Sequence, residues 1–237
     1  MTALRLKLFQ ETACYKKPLA FKVGETYPLP PYSTVKGMLH ALIGATTFIP
    51  MRLSIQGTYD CIIVDYQSHY FVKKTDTNEI PLVFEGLASK PEYKNMTQMP
   101  LYTHMLYHVN LVIHVSAEDE ILNRIIDAIE NAPQHISIGR WEDLVRVDEY
   151  RLVDVFTVED GEVELKYDAY VPLYLLTEET RCVPYRLNWK YEIKNGIRQW
   201  DKIKVGYVKA GIDLIGNELL VDDENYPVLY HVSEERG

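Results

Sequence analysis

Basic and aromatic side chains interleave at three places in the N-terminal part of this 237-residue chain. They are Tyr15-Lys16-Lys17, the stretch His69-Tyr70-Phe71-Val72-Lys73-Lys74 with Lys90 and Lys94 beyond it, and Arg140-Trp141. Cations that track phosphates and rings that stack on bases are what a single-stranded nucleic acid needs, at about 1–3 kcal/mol per stacked base. The plainer explanation is that turn lysines are solvated and that many of the 18 tyrosines line a β core. A fourth candidate is the loop Tyr27-Pro28-Leu29-Pro30-Pro31, which leads into a helix start carrying Ser33, Thr34 and Lys36. Three prolines stiffen that loop, and the unpaired N–H groups of a helix start suit an anion such as phosphate. His40 shares a helix face with Lys36, which admits acid–base chemistry beside a bound phosphate, although a polar face residue is the commoner case. His104 and His108 sit at a strand entry, where a spacing of four does not make a helical ligand pair, so no metal is expected. No Walker loop, GxSxG or GxGxxG occurs, and no cofactor is expected.

These residues need elements to position them. A first strand is expected over about Leu4–Thr12, with Leu4, Leu6 and Leu8 on a covered face and Arg5 and Lys7 on the other. A helix follows over Thr34–Ile43, with Ser33 as N-cap, Gly44 past its end, and Val35, Met38, Leu39, Leu42 and Ile43 as its buried stripe. A short strand is expected near Met51–Gly57. From Asp60 to about Pro100 the pattern loosens into a hairpin-like insertion, with strands at 61–64 and 81–84 around the polar turn 73–78. The core resumes at 105–115. A second helix carries Ile121, Leu122, Ile125, Ile126 and Ile129, with Ser116 and Asp119 as a capping box and Pro133 as its stop. A strand at Ile136 and Ile138 then meets the loop Gly139–Asp143. The order β-α-β-(insertion)-β-α-β is a split βαβ of ferredoxin-like type. The remainder, 146–237, reads as all-β, with Asn195-Gly196 as a hairpin turn. It is expected to pack on the first domain, 1–145.

The bulk numbers agree with a globular protein: 47% hydrophobic and 25% charged residues, and no apolar run of membrane-spanning length. Three scattered cysteines and a start without an apolar leader core give the expectation of a cytoplasmic protein. Net charge is −9 but unevenly spread. Residues 1–110 carry 11 Lys+Arg against 8 Asp+Glu, and residues 111–237 carry 14 against 26. A polyanion is therefore expected at the N-terminal half.

The run Tyr27–Ala45, the stretch Ile136–Leu144 and the later Val183-Pro184-Tyr185-Arg186 resemble the fifth Cas family. This is the CRISPR-associated subunit that caps the 5′ handle of crRNA in type I Cascade, and the likeness is nearest to type I-B. The resemblance implies an α+β fold: a ferredoxin-like, RRM-type domain of the RAMP superfamily, an inserted β-rich thumb at about 65–103, and a β-rich C-terminal region. It implies a binder without catalytic residues, and crRNA, the helical backbone subunit and the large subunit as partners. Target DNA would be met through the complex, and no membrane is involved. Carried onto this chain, the handle-binding residues are Tyr15, Lys16, Lys17, Ser33, Thr34, Lys36, Arg140 and Trp141. The thumb residues are His69, Tyr70, Phe71, Lys73, Lys74, Lys90 and Lys94. The alternative is a metal-independent endoribonuclease of CRISPR repeat RNA, for which Tyr15, Lys36 and His40 supply the residue types.

Overall fold

The computed structural model describes the chain except at residues 19, 21–22, 73–95, 133, 159–160, 217 and 232–237. The elements run β1 (Thr2–Ala13), β2 (Val23–Gly24), α1 (Tyr32–Leu42), β3 (Arg52–Thr58), β4 (Cys61–Val72), β5 (Met96–Ser116) and α2 (Asp119–Glu130). They continue with β6 (Arg146–Val158), β7 (Gly161–Glu164), β8 (Asp168–Pro172), β9 (Val183–Lys194), β10 (Ile197–Val208), β11 (Asp213–Gly216) and β12 (Leu219–Asp222). The main sheet has the order β12-β6-β1-β5-β3-β8-β10-β9, with β2 and β4 both paired to β5. Strands β11 and β7 form a separate ribbon.

At its centre, β6-β1-β5-β3 are antiparallel neighbours, with α1 joining β1 to β3 and α2 joining β5 to β6. This is the ferredoxin-like arrangement. The alternation in β1 aims Leu4, Leu6 and Leu8 at the helices, in register with Val115, Ile113 and Leu111 of β5. Val35 and Leu39 of α1 and Leu122 and Ile125 of α2 cover that face. The expected stripe of α1 is buried at Val35, Met38 and Leu39, and Leu42 and Ile43 pack at its margin.

Several elements differ from expectation. The fourth core strand is β6, whereas Ile136–Ile138 is a loop with one isolated bridge, Ser137 to Leu144. Ser33 lies inside α1 rather than at its cap, which is Pro31 in an extended conformation; no side chain caps the helix. The N-cap of α2 is Glu118, because Ser116 ends β5 and its hydroxyl accepts from Arg52 at 3.1 Å. Gly44, at φ +62°, does stand past the end of α1. In the insertion, expected from Asp60, β4 pairs with the first half of β5 from Cys61–Tyr107 to Val72–Met96. The strand expected at 81–84 and the stop at Pro133 lie outside the described residues.

Arg5 does not face solvent. It is fully buried under the C-terminal segment, where its guanidinium donates to Glu149 and Asp222, each at 2.7 Å, and to Glu224 at 2.6 Å. Asp222 also lies 3.0 Å from Nε2 of His114 and accepts the amides of Glu224 and Tyr226. Burial opposes its charge, but these donors prevail and hold its carboxyl well below the usual carboxylate range.

Candidate nucleic-acid interface

Chain entry into the site is set where β1 leaves the sheet. Residues 14–17 pair with 25–27 as a short ribbon: the Tyr27 amide donates to the Tyr15 carbonyl and the Lys17 amide to the Glu25 carbonyl, both at 2.8 Å. Tyr15 turns inward. Its hydroxyl donates to Gln10 at 2.6 Å, and burial, assisted by the charge of Asp143, raises its pKa well above the ordinary value. Tyr15 is thus an anchor and has no face to offer a base, contrary to its expected role as an RNA contact. Its neighbours do reach out: Lys16 is exposed, and Lys17 is half-buried beside Glu25 at 3.1 Å and above the ring of Tyr27.

The loop Gly139–Asp143 is clamped onto this same end of β1. The amide nitrogen of the Gln10 side chain donates to the carbonyls of Ile138 and Asp143, at 3.0 and 2.9 Å. The buried Asp143 carboxylate accepts the backbone amides of Cys14 at 3.0 Å and Arg140 at 2.9 Å, and pairs with the Arg140 guanidinium at 2.7 Å. Gly139 sits at φ +109°, where a Cβ would lie 2.8 Å from the Asp143 carboxylate and 3.1 Å from the Cys14 carbonyl, so only glycine fits. The outcome is an indole held in the open: Trp141 is 86% exposed at the loop apex. Arg140 reaches Glu142 at 3.0 Å and the sulfur of Met105, at the base of the β4–β5 arm, at 3.2 Å.

The helix start is less open than its sequence implies. Ser33 and Thr34 are half-buried in the first turn of α1, with the Thr34 amide already donating to the Pro31 carbonyl. Lys36 is only 8% exposed. Its ammonium donates to the Trp189 carbonyl and lies 4.1 Å from the Trp189 ring and 4.7 Å from that of Phe48. Burial, with the charge of Lys190, pulls its pKa down to about 8. This ammonium is therefore a packing group and not the exposed phosphate ligand expected from the sequence. His40 uses both ring nitrogens: Nε2 accepts the Ile49 amide at 3.0 Å, which leaves Nδ1 to donate to the Lys36 carbonyl at 2.8 Å.

On the arm, Tyr70 is exposed, and one face shows Ile62, Val64, Tyr66 and Tyr102 to solvent, the two tyrosines 5.5 Å apart. Lys73, Lys74, Lys90 and Lys94, and the side chains of His69 and Phe71, lie outside the described residues. His108, at φ +51°, marks the bend where β5 passes from the arm to the core, and its ring is 2.9 Å from Asp60. The structure therefore brings Lys16, Lys17, Arg140 and Trp141 to one end of β1, and withdraws Tyr15 and Lys36. The clamp residues Gln10, Gly139 and Asp143 were not singled out from the sequence. The one available signal was a glycine directly ahead of Arg-Trp with an aspartate three residues after the arginine.

Comparison with known families places this arrangement. The family model described as "CRISPR-associated protein (Cas_Cas5)" matches residues 3–192. The chain belongs to the Cas5 family of CRISPR-associated proteins. The fold agrees with that assignment. A chain of a solved "CRISPR RNA-guided surveillance complex" is similar at TM-score 0.54 and 16% identity, over 89% of this chain and 91% of that one. A CRISPR protein from Archaeoglobus fulgidus is similar at TM-score 0.47 and 13% identity, over 98% of this chain and 100% of that one. No curated protein matches this Cas5 chain.

Proposed function

We propose that this Cas5 chain is a crRNA-binding subunit of a Cascade-type effector, and that the end of β1 grips the 5′ handle of the crRNA. The observation that carries the reading is Trp141, an indole 86% exposed yet fixed on a clamped loop beside Arg140, Lys16 and Lys17. An exposed tryptophan has no role in a core, and a rigid one loses little entropy when a base stacks on it. In this reading the half-buried Ser33 and Thr34 line the far wall of the hook, and the β4–β5 arm is the thumb that meets the spacer and the neighbouring backbone subunit. The large subunit packs close by, target DNA is met through the complex, and type I-B is the subtype we favour.

The subunit holds RNA without cutting it. Supporting this, the three side chains that could form a metal-independent nuclease are each engaged elsewhere: Tyr15 with Gln10, Lys36 with Trp189, and His40 with Lys36 and Ile49. The test is binding of a labelled handle RNA to purified protein. Trp141→Ala should weaken it by about 5- to 150-fold, the value of one stacked base. Lys16→Ala with Lys17→Ala should flatten the log–log salt dependence by about 0.7 per lost contact. Unchanged affinity and slope would move the site elsewhere, and specific cleavage of repeat RNA in EDTA would overturn the non-catalytic reading.

A further inference from the structure

The β9–β10 hairpin reverses the charge of the half of the chain it belongs to. Between Val183 and Val208 stand six basic residues against two acidic ones, whereas the rest of residues 111–237 holds 8 against 24. Its base joins the core through Leu187, Trp189, Val205 and Tyr207. Strand β8 pairs with β10 only at Val205–Val208, so from Lys204 to its turn the hairpin stands clear of the other strands.

A bulge decides which side chains share a face. Trp200 is opposite Tyr191 and Lys202 is opposite Asn188, so Asp201 alone faces the two residues Trp189 and Lys190. Alternation from those pairs puts Arg198, Trp200, Lys202 and Lys204 of β10 on one face with Tyr191 and Arg186 of β9. The hairpin's two carboxylates fall on the other face, where Asp201 pairs with Lys190 at 3.9 Å and Glu192 with Lys194 at 3.1 Å. The first face has four exposed cations and no acid, and among the described residues none of the four makes an ion pair. Set among those cations, the Tyr191 and Trp200 rings are 5.0 Å apart, and the Arg198 guanidinium lies 4.6 Å from the Tyr191 ring. Two paired rings steady a ladder by themselves, but Arg186 directly opposite Lys204 works against it. Lysines also guard open edges against stray pairing, and this hairpin has two such edges. A guard works on either face and with either sign, so it does not account for a face cleared of carboxylates. Nor does it call for rings, which make an edge more adhesive.

We propose that this face of the β9–β10 hairpin is a second nucleic-acid surface, one that takes a single strand without reading its sequence. Trp200 and Tyr191 stack bases, Arg198 extends that platform with its guanidinium plane, and Arg186, Lys202 and Lys204 meet phosphates. Rings among cations are what an unpaired strand needs, and a duplex, its bases already stacked inside, has no use for them. From Arg198 to Lys204 the face is about 20 Å long at the usual strand rise. It is remote from the handle site. Successive antiparallel pairings from β1 through β5, β3 and β8 make β10 run in the same direction as β1. The turn at Asn195-Gly196 therefore lies toward the end of the sheet where β1 begins, whereas Lys16, Lys17 and Trp141 lie where β1 finishes.

The experiment titrates the full chain against a labelled thymidine oligonucleotide at several salt concentrations, with a uridine oligonucleotide and a DNA duplex of arbitrary sequence as the other arms. The parent protein should bind both single strands more tightly than the duplex, and the ratio of the two shows whether DNA or RNA is the strand it prefers. Trp200→Leu should weaken binding by about 5- to 150-fold with the salt slope unchanged, and Trp200→Phe should restore most of the loss. The triple variant Arg186→Gln, Lys202→Gln, Lys204→Gln should lower the log–log slope by about 2, at about 0.7 per contact. Arg124→Gln with Lys166→Gln removes positive charge from other surfaces and should leave the slope unchanged. The hairpin variants should keep handle RNA binding, and Trp141→Ala should keep binding of the thymidine strand, so failure at one site is distinguishable from failure at the other. Should Trp200→Leu unfold, Tyr191→Leu repeats the measurement. A triple variant that self-associates yet binds the strand as before would make the cations edge guards and overturn the proposal. No binding by the parent protein at low salt, a preference for the duplex, or unchanged affinity in Trp200→Leu would overturn it as well.

Discussion

Asp143 is the residue on which the position of Trp141 depends, and its removal has a calculable cost. In Asp143→Ala the amides of Cys14 and Arg140 lose their acceptor, at about 1–3 kcal/mol for each one left unsatisfied. The Arg140 pair goes too. Breaking a buried pair costs about 3–5 kcal/mol, but the Arg140 side chain is 23% exposed and regains water, so the low end applies. These terms overlap, and the net loss should be about 3–4 kcal/mol, which a domain with about 5–15 kcal/mol of stability survives at 25 °C. Asp143→Asn keeps the shape and one acceptor oxygen and should lose about 1–2 kcal/mol. Urea unfolding measures both, and anisotropy of a labelled handle RNA measures the consequence. Both variants should bind the RNA more weakly, by up to the loss seen in Trp141→Ala, because a loosened loop must be ordered on binding. A stability loss below about 1 kcal/mol in Asp143→Ala would refute the clamp. A clear loss of stability with RNA affinity unchanged would refute the loop as the stacking platform.

Two further outcomes follow from the buried charges. The Asp222 carboxyl is held below its unfolded value near 3.9, so its stabilisation is complete above about pH 5 and drains away as pH falls through 4. Asp222→Asn should flatten that acid limb in pH-dependent denaturation and lower stability at pH 7 by about 1.5–3 kcal/mol, the value of a charge-assisted hydrogen bond, since Arg5 keeps Glu149 and Glu224. Lys36 gives a slope of the same sign in a higher pH window, here because burial penalises its charge. Its folded pKa of about 8 lies below the unfolded 10.5, so the unfolded state holds the proton more tightly and stability rises from about pH 8 to 10.5. Lys36→Met should abolish that rise in thermal unfolding, change stability at pH 7 by no more than about 2 kcal/mol and leave handle affinity intact. A tenfold loss of affinity would put the ammonium on the RNA after all.

Local patterns carried the fold further than they carried the site. The strand period of β1 and the stripes of α1 and α2 name the apolar side chains that face the core, and with the helix order they are enough for a ferredoxin-like reading. Short-range chemistry also placed the Asn195-Gly196 turn, where both residues have positive φ. The failures share one cause: the deciding partner is far away in sequence. Arg5 was placed on the right face of β1, but what covers that face lies at residues 222–224. Lys36 sits where a helix-face lysine should be exposed, and it is Trp189 that closes over it. Ser33 and Ser116 have the composition of caps, but one falls inside its helix and the other is claimed by Arg52 from the neighbouring strand. Tyr15 and Lys16 are adjacent, and no local rule says which turns inward; Gln10 and Asp143 decide it.

The strap that covers Arg5 also sets a schedule for synthesis. After β12, residues 223–230 cross the sheet face that holds Arg5. There Val228 and Tyr230 pack on Ala3, Val153 and Val155, the Leu229 amide donates to Ser54, and the Pro227 carbonyl accepts from Gln56. While the chain is still emerging from the ribosome, β1, β5 and β6 can pair, but the sheet face that holds Arg5 and His114 waits for residues 222–230, made well after β6. A nascent chain stalled before residue 222 would hold a half-covered sheet and an arginine with Glu149 alone to neutralise it. Residues 222–230 therefore finish the first strand, and a fault in that segment is felt at β1.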